Sequence, residues 1–206
     1  MIIYVIGLLA QLFFSSRILV QWIMSEREKK IVSPTLFWIL SMLGSYLLFI
    51  YGWLRDDFSI LLGQLIAYYI YIWNLNLKGF WSSIPLPLRA VLLATPWLAV
   101  GIVIRDFDGF VQQFFQQKEV PLWMIIMGSA GQVIFTLRFV YQWIITLKTK
   151  KAELPIGFWI ISLVGSSIII AYAVLRRDPI LILGQSFGFI AYTRNVILGV
   201  QSKKLA

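Results

Sequence analysis

The sequence predicts an all-α membrane protein of seven transmembrane helices, built as two parallel three-helix repeats joined by one linker helix. Three observations carry this. Of the 206 residues, 60% are apolar and 13% charged, with a mean hydropathy of +0.83, where soluble domains run to about half apolar and a quarter charged. Seven apolar stretches each approach the ~20 residues a helix needs to cross the hydrocarbon layer. Finally, adding 121 to a position in the first third of the chain lands, without a gap, on a matching residue in the last third.

The stretches fall at 3–24, 34–53, 58–77, 86–104, 122–146, 155–174 and 179–200. They divide the chain into a first repeat at 1–80, a linker at 81–121 and a second repeat at 122–206. The opening MIIYVIGLLAQLFFSSRILVQW lacks the basic start and small-residue cleavage site of a signal peptide, so it reads as a retained first helix. Here Gln11, Arg17, Gln21 and Trp22 pair with Gln132, Arg138, Gln142 and Trp143. On the second helices Pro34, Phe37, Trp38, Ser41, Gly44 and Ser45 pair with Pro155, Phe158, Trp159, Ser162, Gly165 and Ser166. On the third, Tyr51, Leu54, Arg55, Asp57, Gly63, Gln64, Tyr71 and Asn74 pair with Tyr172, Leu175, Arg176, Asp178, Gly184, Gln185, Tyr192 and Asn195. Such identity at constant spacing is the mark of a duplication.

Three crossings begin and end on opposite faces, so two copies in one orientation need an odd number of crossings between them; 86–104 supplies one, giving a pseudo-twofold axis along the membrane normal. After it, Phe107, Phe110, Val111, Phe114 and Phe115 follow i, i+3, i+4, i+7 and i+8, the spacing of a short amphipathic helix lying on the interface. Ser33-Pro34 and Asp178-Pro179 read as a capping residue followed by proline at the first helical position. Asp57 and Asp178 read as caps and surface ion pairs.

A net charge of +9 does not form a nucleic-acid stripe; it sorts by loop. With Met1 outside, the inner loops hold Arg27, Lys29, Lys30, Lys78, Arg89, Lys148, Lys150, Lys151, Lys203 and Lys204, and the outer ones Arg55, Arg105, Lys118, Arg176 and Arg177. This bias favours an outside N-terminus and a cytoplasmic C-terminus, and no nucleic-acid partner is expected. With neither His nor Cys in the chain, no cofactor, metal cluster or thiol nucleophile is expected. No intramembrane carboxylate can serve as a base, and Ser41 and Ser162 lack an activating partner. The reading is therefore not an enzyme.

Three arginines, Arg17, Arg138 and Arg194, fall inside predicted helices, where a central Arg costs about 2.5–3.5 kcal/mol to insert. They sit near enough to the predicted inner helix ends to snorkel toward headgroups; alternatively they turn into the bundle. Gln11, Arg17 and Gln21 share one helical face, as do Trp38, Ser41 and Ser45 on the second helix and Gln64, Tyr71 and Asn74 on the third. Repeated at Gln132, Arg138, Gln142, Trp159, Ser162, Gln185, Tyr192 and Asn195, these stripes either bond helix to helix or converge on one cavity. Guanidinium groups without carboxylates favour an anion, bound through the planar two-donor fork.

The motif set, Gln-Trp after an intramembrane Arg, then Pro-x-x-Phe-Trp, Ser-x-x-Gly-Ser, Arg-Asp-Asp or Arg-Arg-Asp-Pro, Leu-Gly-Gln and Tyr-x-x-Asn, resembles the lipid-A-disaccharide synthase N-terminal domain family. The segment DPILILGQSFGFIAYTRN carries it most closely. The resemblance implies kinship with the PQ-loop, SWEET sugar transporter and KDEL receptor group, whose arrangement is also three plus one plus three. Similarity to SWEET proteins implies a central site at Asn74, Asn195, Trp38 and Trp159, although no Pro-Gln dipeptide is present and both Trp lie near inner helix ends. The resulting expectation is a bacterial inner-membrane transporter or flippase for an anionic, phosphate-bearing lipid-linked sugar, in contact with membrane lipid. Two alternatives stand beside it: a SWEET-type carrier of small sugars or organic anions, and a non-transporting scaffold or lipid-recognition module for a membrane-associated glycosyltransferase.

Overall fold

The computed structural model describes residues 2–55, 57–115 and 121–204. Among these the chain is all helical, without strands: α1 (Ile2–Glu28), α2 (Thr35–Leu54), α3 (Phe58–Leu77), a 3-10 turn at Trp81–Ser83, α4 (Leu86–Arg105), α5 (Phe107–Phe115), α6 (Leu122–Thr149), α7 (Ile156–Leu175) and α8 (Pro179–Lys204). Among the described residues, five stretches are long and apolar enough to cross a membrane: Ile2–Glu28, Thr35–Leu54, Ile60–Leu77, Leu122–Thr149 and Ile156–Leu175. They cover five of the seven expected crossings, those of α1, α2, α3, α6 and α7. Among the described residues of α4 the apolar run is Leu86–Leu98. The amphipathic spacing falls on α5, while 116–120 of the following segment lie outside the described residues.

Six helices form a closed ring: α1 packs on α2, α2 on α3, α3 on α6, α6 on α7, α7 on α8, and α8 back on α1. Helix α4 stands outside the ring beside α3, where the Tyr69 hydroxyl donates to the Leu93 carbonyl at 3.1 Å and the Tyr69 and Trp97 rings lie 6.5 Å apart. The two seams joining the repeats, α1·α8 and α3·α6, are equivalent under the 121-residue repeat. Small residues set the closest approaches. A Cβ on Gly44 would sit 3.0 Å from the Phe14 ring, and one on its equivalent Gly165 would sit 2.6 Å from Phe135, both too close for a carbon to fit without movement.

Helix ends depart from expectation in informative ways. Helices α1 and α6 run on to Glu28 and Thr149, past the predicted ends at 24 and 146, so Arg17 and Arg138 each lie 11 residues, roughly 16 Å, from a terminus. Beyond α1 and at the end of α6, the equivalent Lys29 (φ 53°) and Lys150 (φ 57°) take the left-handed conformation that closes a helix. Ser33 is not a side-chain cap: its hydroxyl accepts from Trp38 Nε1 at 2.8 Å, and the cap position belongs to extended Pro34. Asp57 and Asp178 do cap, accepting from Ile60 N and Leu181 N at 3.1 Å. They are buried rather than at the surface, because the ring closes over them.

Candidate functional site

Inside the ring the polar side chains form three layers. The top layer, where α2 turns into α3, is a pair of cross-repeat clasps. Tyr51 of the first repeat donates its hydroxyl to Asp178 Oδ2 at 3.4 Å, and its equivalent Tyr172 donates to Asp57 Oδ2 at 3.2 Å. Arg55 lies 3.8 Å from Asp178. Burial pushes the Asp57 carboxyl up, against the opposing pull of the Ile60 amide, Arg176 and Tyr172.

The bottom layer, at the depth of Gln21, repeats the device with amides. Gln21 Nε2 donates to Asn195 Oδ1 at 2.9 Å and Asn195 Nδ2 donates back at 3.1 Å. Gln142 Nε2 donates to Asn74 Oδ1 at 2.9 Å, with the return bond at 3.2 Å. Each glutamine also donates to a hydroxyl one turn on, Ser25 or Thr146 at 2.8 Å, and to the loop carbonyls of Val32 or Glu153. All four amide side chains are fully buried, so these bonds satisfy groups that are costly to leave unpaired.

Between the layers lies a cavity lined by Arg17, Arg138, Tyr71, Tyr192, Gln11, Gln64, Gln132 and Gln185, with Thr136 and the apolar faces of Phe14, Phe135, Phe139, Leu48 and Leu181. The space open to the centres of water molecules is about 50 Å³; since one water needs at least ~10–15 Å³ by that measure, the cavity holds several waters or a small ion. Both guanidinium groups are buried, 4% and 2% exposed, which excludes snorkelling. Arg17 Nη1 donates to Ser41 Oγ at 2.8 Å and to the Tyr71 hydroxyl at 3.4 Å, and its carbon lies 4.4 Å from the Phe14 ring centre. Arg138 rests 3.3 Å over Phe135 and 4.7 Å from Phe139. Aromatic faces attract such cations but leave N–H donors unused: Arg17 Nε and Arg138 Nε and Nη1 are buried without a hydrogen-bond partner.

The structure thus brings together Arg17, Arg138, Tyr71, Tyr192, Gln11, Gln132, Gln64 and Gln185, and separates the rest. Gln21, Gln142, Asn74 and Asn195 belong to the bottom layer. Trp38 and Trp159 are core residues, 0% exposed, stacked edge-on against Phe37 and Phe158. Ser41 bonds Arg17 from behind and donates to the Phe37 carbonyl; Ser162 donates to the Phe158 carbonyl. Arg194 stands apart on the ring's flank, gripping Glu26 with Nε and Nη2 at 2.5 and 3.0 Å.

Sequence reasoning missed how the glycines of the Leu-Gly-Gln motif act. A Cβ on Gly63 would overlap the Gln132 amide, and one on Gly184 would overlap that of Gln11. Each glycine is a notch for the glutamine of the opposite repeat. The signal was present in the pairing of a glycine and a glutamine at both 121-spaced positions.

The sequence pattern described as Lipid A Biosynthesis N-terminal domain matches residues 6–76 and again 127–197, two spans displaced by the same 121 residues. Among curated proteins, a lipid-A-disaccharide synthase of Chlamydia pneumoniae is 32% identical over 96% of this chain and 33% of its own length. Those of Chlamydia felis and Chlamydia muridarum are 29% and 30% identical, over 99% and 94% of this chain and 34% and 33% of their own. This chain therefore spans about a third of the length of these relatives. No solved structure matches it. The relatives are named for an enzyme, which corrects two expectations, the transporter or flippase and the reading of a chain that is not an enzyme. The absence of His and Cys from this chain says nothing about chemistry in the two thirds of the relatives that it does not span.

Proposed function

Because the chain belongs to the Lipid A Biosynthesis N-terminal domain family, we propose that it is the membrane-embedded module of a lipid A glycosyltransferase, holding that enzyme at the bilayer and recognising its phosphate-bearing glycolipid. The observation that carries this is the family match over both repeats, in relatives three times as long that are named lipid-A-disaccharide synthase. The layered geometry supports it. Clasps above and amide pairs below tie the repeats together at both ends of the cavity, as suits a rigid platform.

On this reading all of α1–α4 and α6–α8 cross a bacterial inner membrane, three plus one plus three in the PQ-loop and SWEET manner, with the N-terminus outside and the C-terminus cytoplasmic. Reporter fusions at Met1 and Ala206 are expected to place the ends on opposite sides. For the module itself, the full chain is affinity-tagged in a bacterium that makes lipid A and isolated after mild cross-linking. Lipid-A-disaccharide synthase activity is expected to co-purify with it; a chain that emerges without that activity, and without a glycosyltransferase, sinks the proposal.

A further inference from the structure

We infer that the cavity between the repeats is a binding site for a phosphate-class anion, gripped from both sides by Arg17 and Arg138. This deepens, and rests on, the reading of the chain as a module for a phosphate-bearing glycolipid. Two guanidinium groups, each more than nine-tenths buried, line the same small space. Like charges so placed repel, and in a medium of low dielectric they do so strongly. Among the described residues lining the cavity there is no Asp or Glu to neutralise them.

Ring faces take part of the load: Arg17 lies against Phe14 and Arg138 against Phe135 and Phe139. Quadrupoles, though, do not accept N–H bonds in the guanidinium plane, and three such donors are orphaned: Arg17 Nε, Arg138 Nε and Arg138 Nη1. Buried unpaired donors in native proteins are rare. An anion with several oxygens in tetrahedral array answers both the charge and the donors: Arg138 Nε and Nη1 lie on different edges of the guanidinium plane, and each, like Arg17 Nε, offers an N–H to an oxygen. The hydroxyls of Tyr71 and Tyr192 and the amide of Gln132 or Gln11 are further donors on the wall. The same chemistry comes from free phosphate or from a lipid-borne phosphomonoester.

The test uses the purified full chain in detergent, with inorganic phosphate, dodecyl phosphate and uncharged dodecyl maltoside as probes, and reads dissociation constants by calorimetry and thermal unfolding by circular dichroism. The parent is expected to bind and be stabilised by a phosphate probe and not by the maltoside. Arg17→Gln and Arg138→Gln are expected to weaken binding roughly 10- to 150-fold, Arg138→Lys to fall between, and Arg194→Gln, on the flank, to leave it unchanged. Dodecyl phosphate binding alone identifies a lipid source; inorganic phosphate competing as strongly identifies a free one. Equal binding by folded Gln variants, or a parent that binds neither phosphate probe, overturns the inference. If the Gln variants do not fold, the parent's phosphate-against-maltoside comparison decides. Co-purification of the glycosyltransferase is scored separately on the same variants: retained with no anion binding, it leaves the module reading standing and the anion site refuted.

Discussion

The two seams between the repeats are built from equivalent positions, yet they differ at one edge. In the α3·α6 seam Trp73 meets Trp143 edge-on, ring centres 6.2 Å apart at 89°. In the α1·α8 seam the counterpart of Trp73 is Arg194, and the counterpart of Trp143 is Trp22, whose indole donates to Glu26 at 2.9 Å while Arg194 grips the same carboxylate. Deeper in, the seams coincide: a Gln–Asn amide pair and a Gly–Gln notch appear in each, and a Tyr–Asp clasp ties α2 to the cap of α8 as another ties α7 to the cap of α3. Symmetry is kept in the amide pairs, the clasps and the notches; it lapses at the edge, and again at the arginines, where Arg17 Nη1 bonds Ser41 and Tyr71 while Arg138 Nη1 has no partner.

The sharpest break is at the amide pairs. Gln21→Leu and Gln142→Leu each leave the Oδ1 of a fully buried asparagine without its donor, while Nδ2 keeps its bond to the Ala191 or Ile70 carbonyl, and each is expected to destabilise the ring by about 2–3 kcal/mol, near the upper range for a buried polar group, with the two values alike. Unfolding in mixed micelles measures this, and a large difference between the two would show that the seams are not equivalent at depth. Replacing both partners, as in Gln142→Leu with Asn74→Leu, should recover part of the loss because the asparagine amide no longer stands without its partner. Next come the notches: Gly63→Ala and Gly184→Ala push a methyl into a glutamine side chain and should cost about 1–2 kcal/mol each. The clasps are smaller, since their bonds are long; Tyr51→Phe and Tyr172→Phe are expected to cost about 1 kcal/mol or less. At the edge, Arg194→Gln should leave thermal stability unchanged, as exposed pairs contribute little, whereas a marked loss would make that pair a structural lock after all.

The same contrast explains what could be read from the sequence. The duplication, the helices and the faces carrying Arg17, Arg138 and the glutamines were legible, because a 121-residue offset and a 100° step per residue are arithmetic. Depth and partner were not. Gln21 shares a face with Arg17 but lies one turn, about 6 Å, along the axis, far enough to join a different layer, and only the opposite repeat reveals that Asn195 waits there. The capping role of Asp57 and Asp178 followed from local order; the tyrosines that clasp them came from the other half of the chain. Arg194 was grouped with the cavity on charge alone, although its repeat counterpart is Trp73, a mismatch that set it apart from the symmetric positions. Trp38 and Trp159, repeated and aromatic, are equally at home in a core.

The ring closes without α4. Each stave touches two others, and the seams that unite the halves are made by α1, α3, α6 and α8, while α4 leans on α3 from outside. In architectural terms the protein is a dimer whose two halves share one peptide chain, and the linker acts as a tether. Severing the backbone in the segment between Lys78 and Leu86 would leave every seam intact and remove only the local concentration the tether supplies, which for a short connection is on the order of millimolar. Two fragments made in the same membrane would then be expected to find each other, much as two copies of an unfused three-helix ancestor would have done before duplication joined them.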